Sequence, residues 1–354
     1  MKKFYIILLT LSFISCRQDI ITENTPENVF LSFWQIMNEN YPFFEEKSID
    51  WDSIYSVYYP RAKEAKDRYA LYGIFSEIIP QFKDGHLAMH GYLSTDYSFD
   101  INYPYWFYGD TLSSFASAHN PITWDNLTME DLGYEEKKYS ENFKCYQHKK
   151  RSYAMISTYT MGKVIDNKET TAAELTRCIN LLDCKDGLIF DIMNNGGGNV
   201  FDIVPLFFTG EKLLFYIQFK TGKGHNDFTE KIPQIVQGKG VVSETTPVIV
   251  LTGPNTFSAA NVFAYITRDF PNVTLVGKKT GGGGGAIHCL MLPNSWILRA
   301  PFTKSFSIYD ENMEYSLMPN VYVQKINEHN NEDVTNESDV IIKALEILDS
   351  INGN

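Results

Sequence analysis

Basic surface, metal-ligand spacing and a dinucleotide fingerprint are all missing from this chain, and each absence removes a class of function. The formal charge is −12 over 354 residues. With no Lys/Arg-rich stretch, that balance argues against nucleic acid as a partner. Seven histidines and five cysteines form no CxxC or HExxH pattern, so neither a metal nor any other cofactor is expected. GxGxxG is absent, and in GKKTGGGGG at 277–285 the Lys and Thr precede the glycines where a P-loop has them after. Beyond residue 14 no apolar run is long enough to cross a membrane. Cys145, Cys178, Cys184 and Cys289 have no disulfide-framework spacing and are expected as buried thiols. Aromatic residues, by contrast, make up 14% of the chain; they can line a cleft, although core packing accounts for any single one of them.

The first residues read as an export signal. Met1-Lys2-Lys3 is a short basic start, and the apolar run 4–14 is too short for a mature spanning helix. It closes on Phe13-Ile14-Ser15-Cys16, a small residue before a cysteine, as at a bacterial lipoprotein cleavage site. The expectation is a signal peptide over 1–16 and lipid on Cys16. The exported protein would then be held in the cell envelope, on a periplasmic or surface face, by that anchor alone. Residues 17–26 are polar and read as a tether.

From 27 to 90 the pattern is helical: Val29, Phe30, Phe33, Trp34 and Met37 recur at three-to-four spacing, with further helices over 50–59 and 68–79. Residues 91–150 read as a β- and loop-rich insert, with an edge strand at 143–148. From 151 to 354 a βαβ rhythm follows, with strands at 153–156, 187–192 and 248–251 and helices at 171–182, 201–208 and 258–267.

Three features of this frame carry chemistry. Ser258 stands where a strand hands over to a helix, among free backbone N–H groups that favour developing negative charge. Position alone also fits a simple N-cap. Asn194-Asn195-Gly196-Gly197-Gly198-Asn199 is a glycine turn after a strand, able to bring bare N–H groups to a carbonyl oxygen. His86 leaves the tight turn Asp84-Gly85, where a lone histidine is more often structural. Together they are the ingredients of acyl transfer.

The string GLIFDIMNNGGGN resembles the strand-and-glycine block of the C-terminal-processing (tail-specific) serine peptidases, which share it with the tricorn protease core and interphotoreceptor retinoid-binding protein. DGHL at 84–87, SYAMIST at 152–158, VLTGPNTFSAANVFA at 250–264 and LVGKKTGGGGG at 275–285 follow in the family's order, and DVTNESDVIIKALEIL at 333–348 resembles its closing helix. The resemblance implies an α/β, crotonase-like core of stacked ββα units behind an N-terminal helical domain. It implies Ser258 as nucleophile of a serine-type endopeptidase acting on exported or unfolded polypeptides.

The processing-peptidase branch takes its base from a lysine in the turn that here reads Thr280-Gly281-Gly282-Gly283. Lys278 and Lys279 lie too early to match, so the likeness is to the tricorn-like branch, which makes His86 the base. The branch's glutamate falls on Glu314, with Glu311 as alternate. Gly196, Gly197 and Ala259 are the implied oxyanion and substrate-binding positions. Gly85 stands where that branch has a serine, and Met193 where the family has an arginine. No PDZ-like carboxylate-binding loop occurs in 91–150. The same fold also carries ligand binding without catalysis, so a module holding a hydrophobic ligand or peptide is the alternative.

Overall fold

The computed structural model describes residues 23–94, 97–102, 127–137, 140, 142–162, 170–326 and 333–353. Cys16, the signal segment and the first part of the tether lie outside them.

Three helices lead: α1 (Pro26–Asn40), α2 (Trp51–Glu64) and α3 (Arg68–Ile78). Each is capped by a side-chain oxygen accepting a backbone N–H from its own first turn, from Thr25, Asp50 and Asp67 respectively. Such a bond removes one of the unsatisfied donors every helix start carries. Helix α2 runs past Pro60, further than the 50–59 read in sequence. Burial of Ala62 and the paired bonds from Arg61 to Glu77 hold that last turn against the missing proline donor.

Strands β1 (Ala88–Ser94) and β2 (Tyr97–Asn102) follow, then β3 (Tyr134–Lys137), β4 (Phe143–His148) and β5 (Tyr153–Thr158). After α4 (Thr171–Leu181) come β6 (Gly187–Asp191), the short α5 (Val200–Ile203), β7 (Glu211–Phe219), β8 (Ile232–Gln237) and β9 (Val248–Thr252). The chain closes through α6 (Ala259–Thr267), β10 (Val273–Gly277), β11 (Ile287–Met291), β12 (Ile297–Pro301), β13 (Thr303–Phe306), β14 (Val321–Tyr322) and α7 (Glu337–Asn352). The helix read at 201–208 is a single α-turn continued by a 3-10 turn over 204–207, because Pro205 cannot continue an α ladder.

The main sheet has seven strands in the order β14-β10-β9-β6-β5-β4-β3. Its first five are parallel, and β4 and β3 run antiparallel at one side. Strand β4 is therefore interior and β3 is the edge, a correction to the reading of 143–148. Every residue of β6 and β9 is buried, as a parallel strand with both faces covered requires. Alternate side chains serve two cores: Phe190 and Val250 face α4–α6, while Ile189, Ile249 and Leu251 face α7. Three further strands form the sheet β13-β7-β8.

A four-stranded antiparallel sheet, β11-β12-β1-β2, joins residues 88–102 to 287–301. Leu292, Trp296, Leu298 and Ala300 pack in one cluster with Phe30, Phe33, Phe75 and Phe82 of the helical part. The helices are thus roofed by a hairpin from far down the chain. Of the four thiols, all free, Cys145 and Cys178 are buried and Cys184 is half-buried. Cys289 is exposed, because β11 alternates its side chains and the edge strand turns residues 287, 289 and 291 outward. No helix among the described residues is long and apolar enough to cross a membrane.

Candidate active site

Ser258 is fastened from both sides. Ahead of it, Phe257 N–H donates to Asn195 O (3.0 Å), and its own N–H donates to Gly282 O (2.9 Å). Behind it, Val262 N–H donates to Ser258 O (3.0 Å) and starts α6. The result is a serine at φ 57°, ψ −126°, a backbone state that costs a non-glycine residue of order 1–3 kcal/mol. It occupies the N-cap position but makes no cap bond, so its hydroxyl is not spent on helix stability.

Two loops meet at this serine. Thr256 Oγ1 donates to Ile192 O (2.8 Å), which ties the segment after β9 to the end of β6. Gly197, at φ 107°, lies so close that a Cβ there would stand 2.7 Å from Ser258 Cβ. Of the three implied oxyanion donors, two are engaged within the protein. Gly196 N–H donates to Tyr159 O (3.3 Å), and Gly197 N–H to Asn195 Oδ1 (2.9 Å). Ala259 N–H, the first amide of α6, has no intrahelical acceptor.

His86 comes to the same place from the other end of the chain. Its ring centroid is 4.7 Å from that of Phe257, the residue before Ser258. Its main chain is pinned from two directions: its N–H donates to Asp84 Oδ1 (2.8 Å), and Arg299 Nε donates to its carbonyl oxygen (3.1 Å). Asp84 is in turn held by the Tyr41 hydroxyl (2.8 Å). Nδ1 of the His86 ring is buried with no hydrogen-bond partner among the described residues. Burial pushes the imidazole down to about 4, against Asp84, whose charge raises it; Arg299 and Lys47 push the same way as burial.

Glu314 and Glu311 separate cleanly. Glu311 pairs near the surface with Arg268 and accepts from Ser307 Oγ. Glu314 is buried, its Oε1 2.7 Å from Lys47 Nζ and its Oε2 accepting from Gly284 N–H (3.1 Å). Its carbonyl accepts from Gly283 N–H (3.0 Å), next to the Gly282 that holds Ser258. Burial, reinforced by the charge of Asp84, raises its carboxyl to about 7, with Lys47 opposing. Lys278 pairs with Asp333. Sequence reasoning passed over Tyr41, Lys47, Asp84 as an anchor, and Arg299. Each acts through a contact between segments far apart in the chain, which no local pattern signals.

The imidazole makes stability depend on pH with a definite sign. Its pKa falls from 6.5 to about 4 on folding, so between those values the unfolded chain binds a proton that the fold does not. His86 therefore costs nothing above 6.5 and takes away stability as pH falls towards 4, up to about 3 kcal/mol. Glu314, raised from 4.5 to about 7, works the other way: its contribution is full below 4.5 and is lost as pH rises through 7. Comparing wild type with His86→Gln by urea unfolding isolates the first effect. The wild-type advantage should shrink as pH drops from 7 to 4, and parallel curves would contradict the assignment.

Residues 152–323 match the family model "Peptidase family S41", and residues 22–79 match the "Tricorn protease C1 domain". No curated protein sequence matches the chain. Among solved structures, a candidate peptidase from Parabacteroides merdae is 27% identical, with TM-score 0.73, over 92% of this chain and 97% of the other. Mature CPAF is 11% identical, with TM-score 0.61, over 94% and 96%. A lipoprotein from Streptococcus agalactiae is 13% identical, with TM-score 0.54, over 93% and 97%. These last two are likenesses of fold.

Proposed function

We propose that this chain, a serine peptidase with a family S41 domain over residues 152–323, hydrolyses peptide bonds of unfolded or exported polypeptides with Ser258 as nucleophile and His86 as general base. The observation that carries the reading is the uncapped hydroxyl of Ser258, held in a strained backbone state beside the ring-to-ring contact of His86 and Phe257. A neutral imidazole at pH 7 is ready to accept the serine proton, and the depressed pKa keeps it so well into acid.

In the proposed sequence Ser258 Oγ attacks the peptide carbonyl as His86 takes its proton. Ala259 N–H, at the positive end of α6, stabilises the tetrahedral oxyanion. His86 then protonates the departing amine. Water, deprotonated by the same imidazole, releases the acyl group from Ser258. Glu314 orders the glycine segment 282–284 through its carbonyl and its carboxylate. The test is labelling by a serine-directed fluorophosphonate together with hydrolysis of an unstructured polypeptide. A module that merely held peptide would bind it, stay unlabelled and leave it intact.

The pattern around Cys16 supports cleavage before that cysteine and a lipid anchor in the cell envelope. Mass spectrometry of the membrane-extracted protein should show an N-terminal cysteine carrying acyl chains. An unmodified N-terminus elsewhere would remove the anchor.

A further inference from the structure

The turn between α1 and α2 directs two charged side chains inward, each left only partly exposed. Phe43 and Phe44 are buried at its start, Lys47 N–H closes on Phe43 O (2.9 Å), and Ser48 leaves it at φ 54°. Glu46 meets Lys304 Nζ at 2.6 Å and accepts from Asn312 Nδ2 at 3.2 Å. Lys47 reaches Glu314 Oε1 at 2.7 Å, with Lys83 O 3.4 Å away. One turn therefore grips the segment 304–314 at both ends, and that segment carries Glu314 past the glycines behind Ser258.

The charged and titratable groups of this network come from five places. Tyr41 closes α1, Glu46 and Lys47 are on the turn, Asp84 precedes His86, Arg299 projects from β12, and Glu314 stands opposite Lys47. Asp84 spends both oxygens, on the Tyr41 hydroxyl and on His86 N–H. It orients the main chain and leaves Nδ1 of the ring without an acceptor. With no carboxylate among the described residues hydrogen-bonded to the ring, burial sets its proton first and the surrounding charges adjust it. Among those charges Asp84 favours imidazolium while Arg299 and Lys47 oppose it.

We infer that Lys47 is a positioning residue of this site: its ammonium anchors Glu314 and supplies part of the positive field that keeps His86 a proton acceptor. The inference rests on the reading of His86 as the base. At the acid pH where the imidazole titrates, Glu314, raised by burial to about 7, carries its proton, so removing the Lys47 charge weakens the opposition to imidazolium with no carboxylate charge to offset it.

The experiment is the pH profile of kcat/KM for Lys47→Met, Lys47→Arg and the double variant Lys47→Met/Glu314→Gln. Titration of the His86 ring by NMR in each folded protein runs alongside. The double variant guards against misfolding, because it leaves no buried carboxylate without a partner. Lys47→Met and the double variant should move the acid limb and the NMR midpoint to higher pH by about 0.5–1 unit. Lys47→Arg, which keeps the charge, should leave both in place. A merely structural lysine would lower activity at every pH with limb and midpoint unmoved, and that result would overturn the inference. Failure of the enzymatic reading looks different. Ser258→Ala would then turn over substrate like the wild type, while the NMR midpoint of Lys47→Met still moved.

Discussion

Ser258→Ala should lower kcat against an unstructured polypeptide by about 10³-fold or more and abolish fluorophosphonate labelling, with a melting temperature close to wild type. The chemical loss is large because the proposed mechanism has Ser258 Oγ form the bond to the carbonyl carbon. The thermal effect is small because Ser258 makes no cap bond to lose, and alanine inherits the same φ of 57°. Ser258→Gly should instead gain roughly 1 kcal/mol of stability, since glycine bears that backbone state without strain. His86→Ala should fall nearly as far in kcat, and the double variant no further than the worse single one, because in the proposed mechanism nucleophile and base act as a unit. Turnover unchanged in both single variants would leave the pair without a catalytic role.

Gly197→Ala should damage stability and activity together. At φ 107° any Cβ is strained, and this one would stand 2.7 Å from Ser258 Cβ and 2.9 Å from both Ala259 N and Phe257 O. Two of those three atoms are main chain, which cannot swing aside as the tip of a side chain can. The expected cost is about 2–4 kcal/mol, from backbone strain plus overpacking. Moving Ser258 and the Ala259 amide by even a fraction of an ångström should cost on the order of 10²-fold in kcat. Gly210→Ala is the control: its φ is 72°, but nothing lies within 4 Å of the added atom. It should cost about 1 kcal/mol and leave kcat alone. Equal penalties at the two glycines would mean that the crowding at Gly197 has no consequence for the site.

Much of the scaffold is readable without coordinates, for reasons visible in particular elements. Strands β6 and β9 are short apolar runs bounded by turn residues, and a strand with both faces covered has to look like that. Helix α4 starts at Thr171, as its periodicity predicts, with Thr170 as its cap. Local pattern fails where tertiary contacts overrule a breaker, as at Pro60 within α2, or where one residue truncates a helix, as Pro205 does after α5. The place of β4 inside the sheet was hidden as well, since β3, the strand that covers it, is only four residues long.

What the sequence determined alone was therefore local: the strand–turn–helix around Ser258, the glycine turn at 196–198, the tight turn at His86, and the string of blocks that names a kind of chemistry. Only the tertiary structure decided which distant groups share a space. Pairing of β1 with β12 sets Arg299 against the carbonyl of His86. A turn near the start of the chain delivers Lys47 to Glu314. Packing against Phe257 sets the imidazole beside the residue that precedes Ser258. The physical reason is that periodicity and turn chemistry act over a few residues, whereas a field at an imidazole sums charges carried by segments hundreds of positions apart.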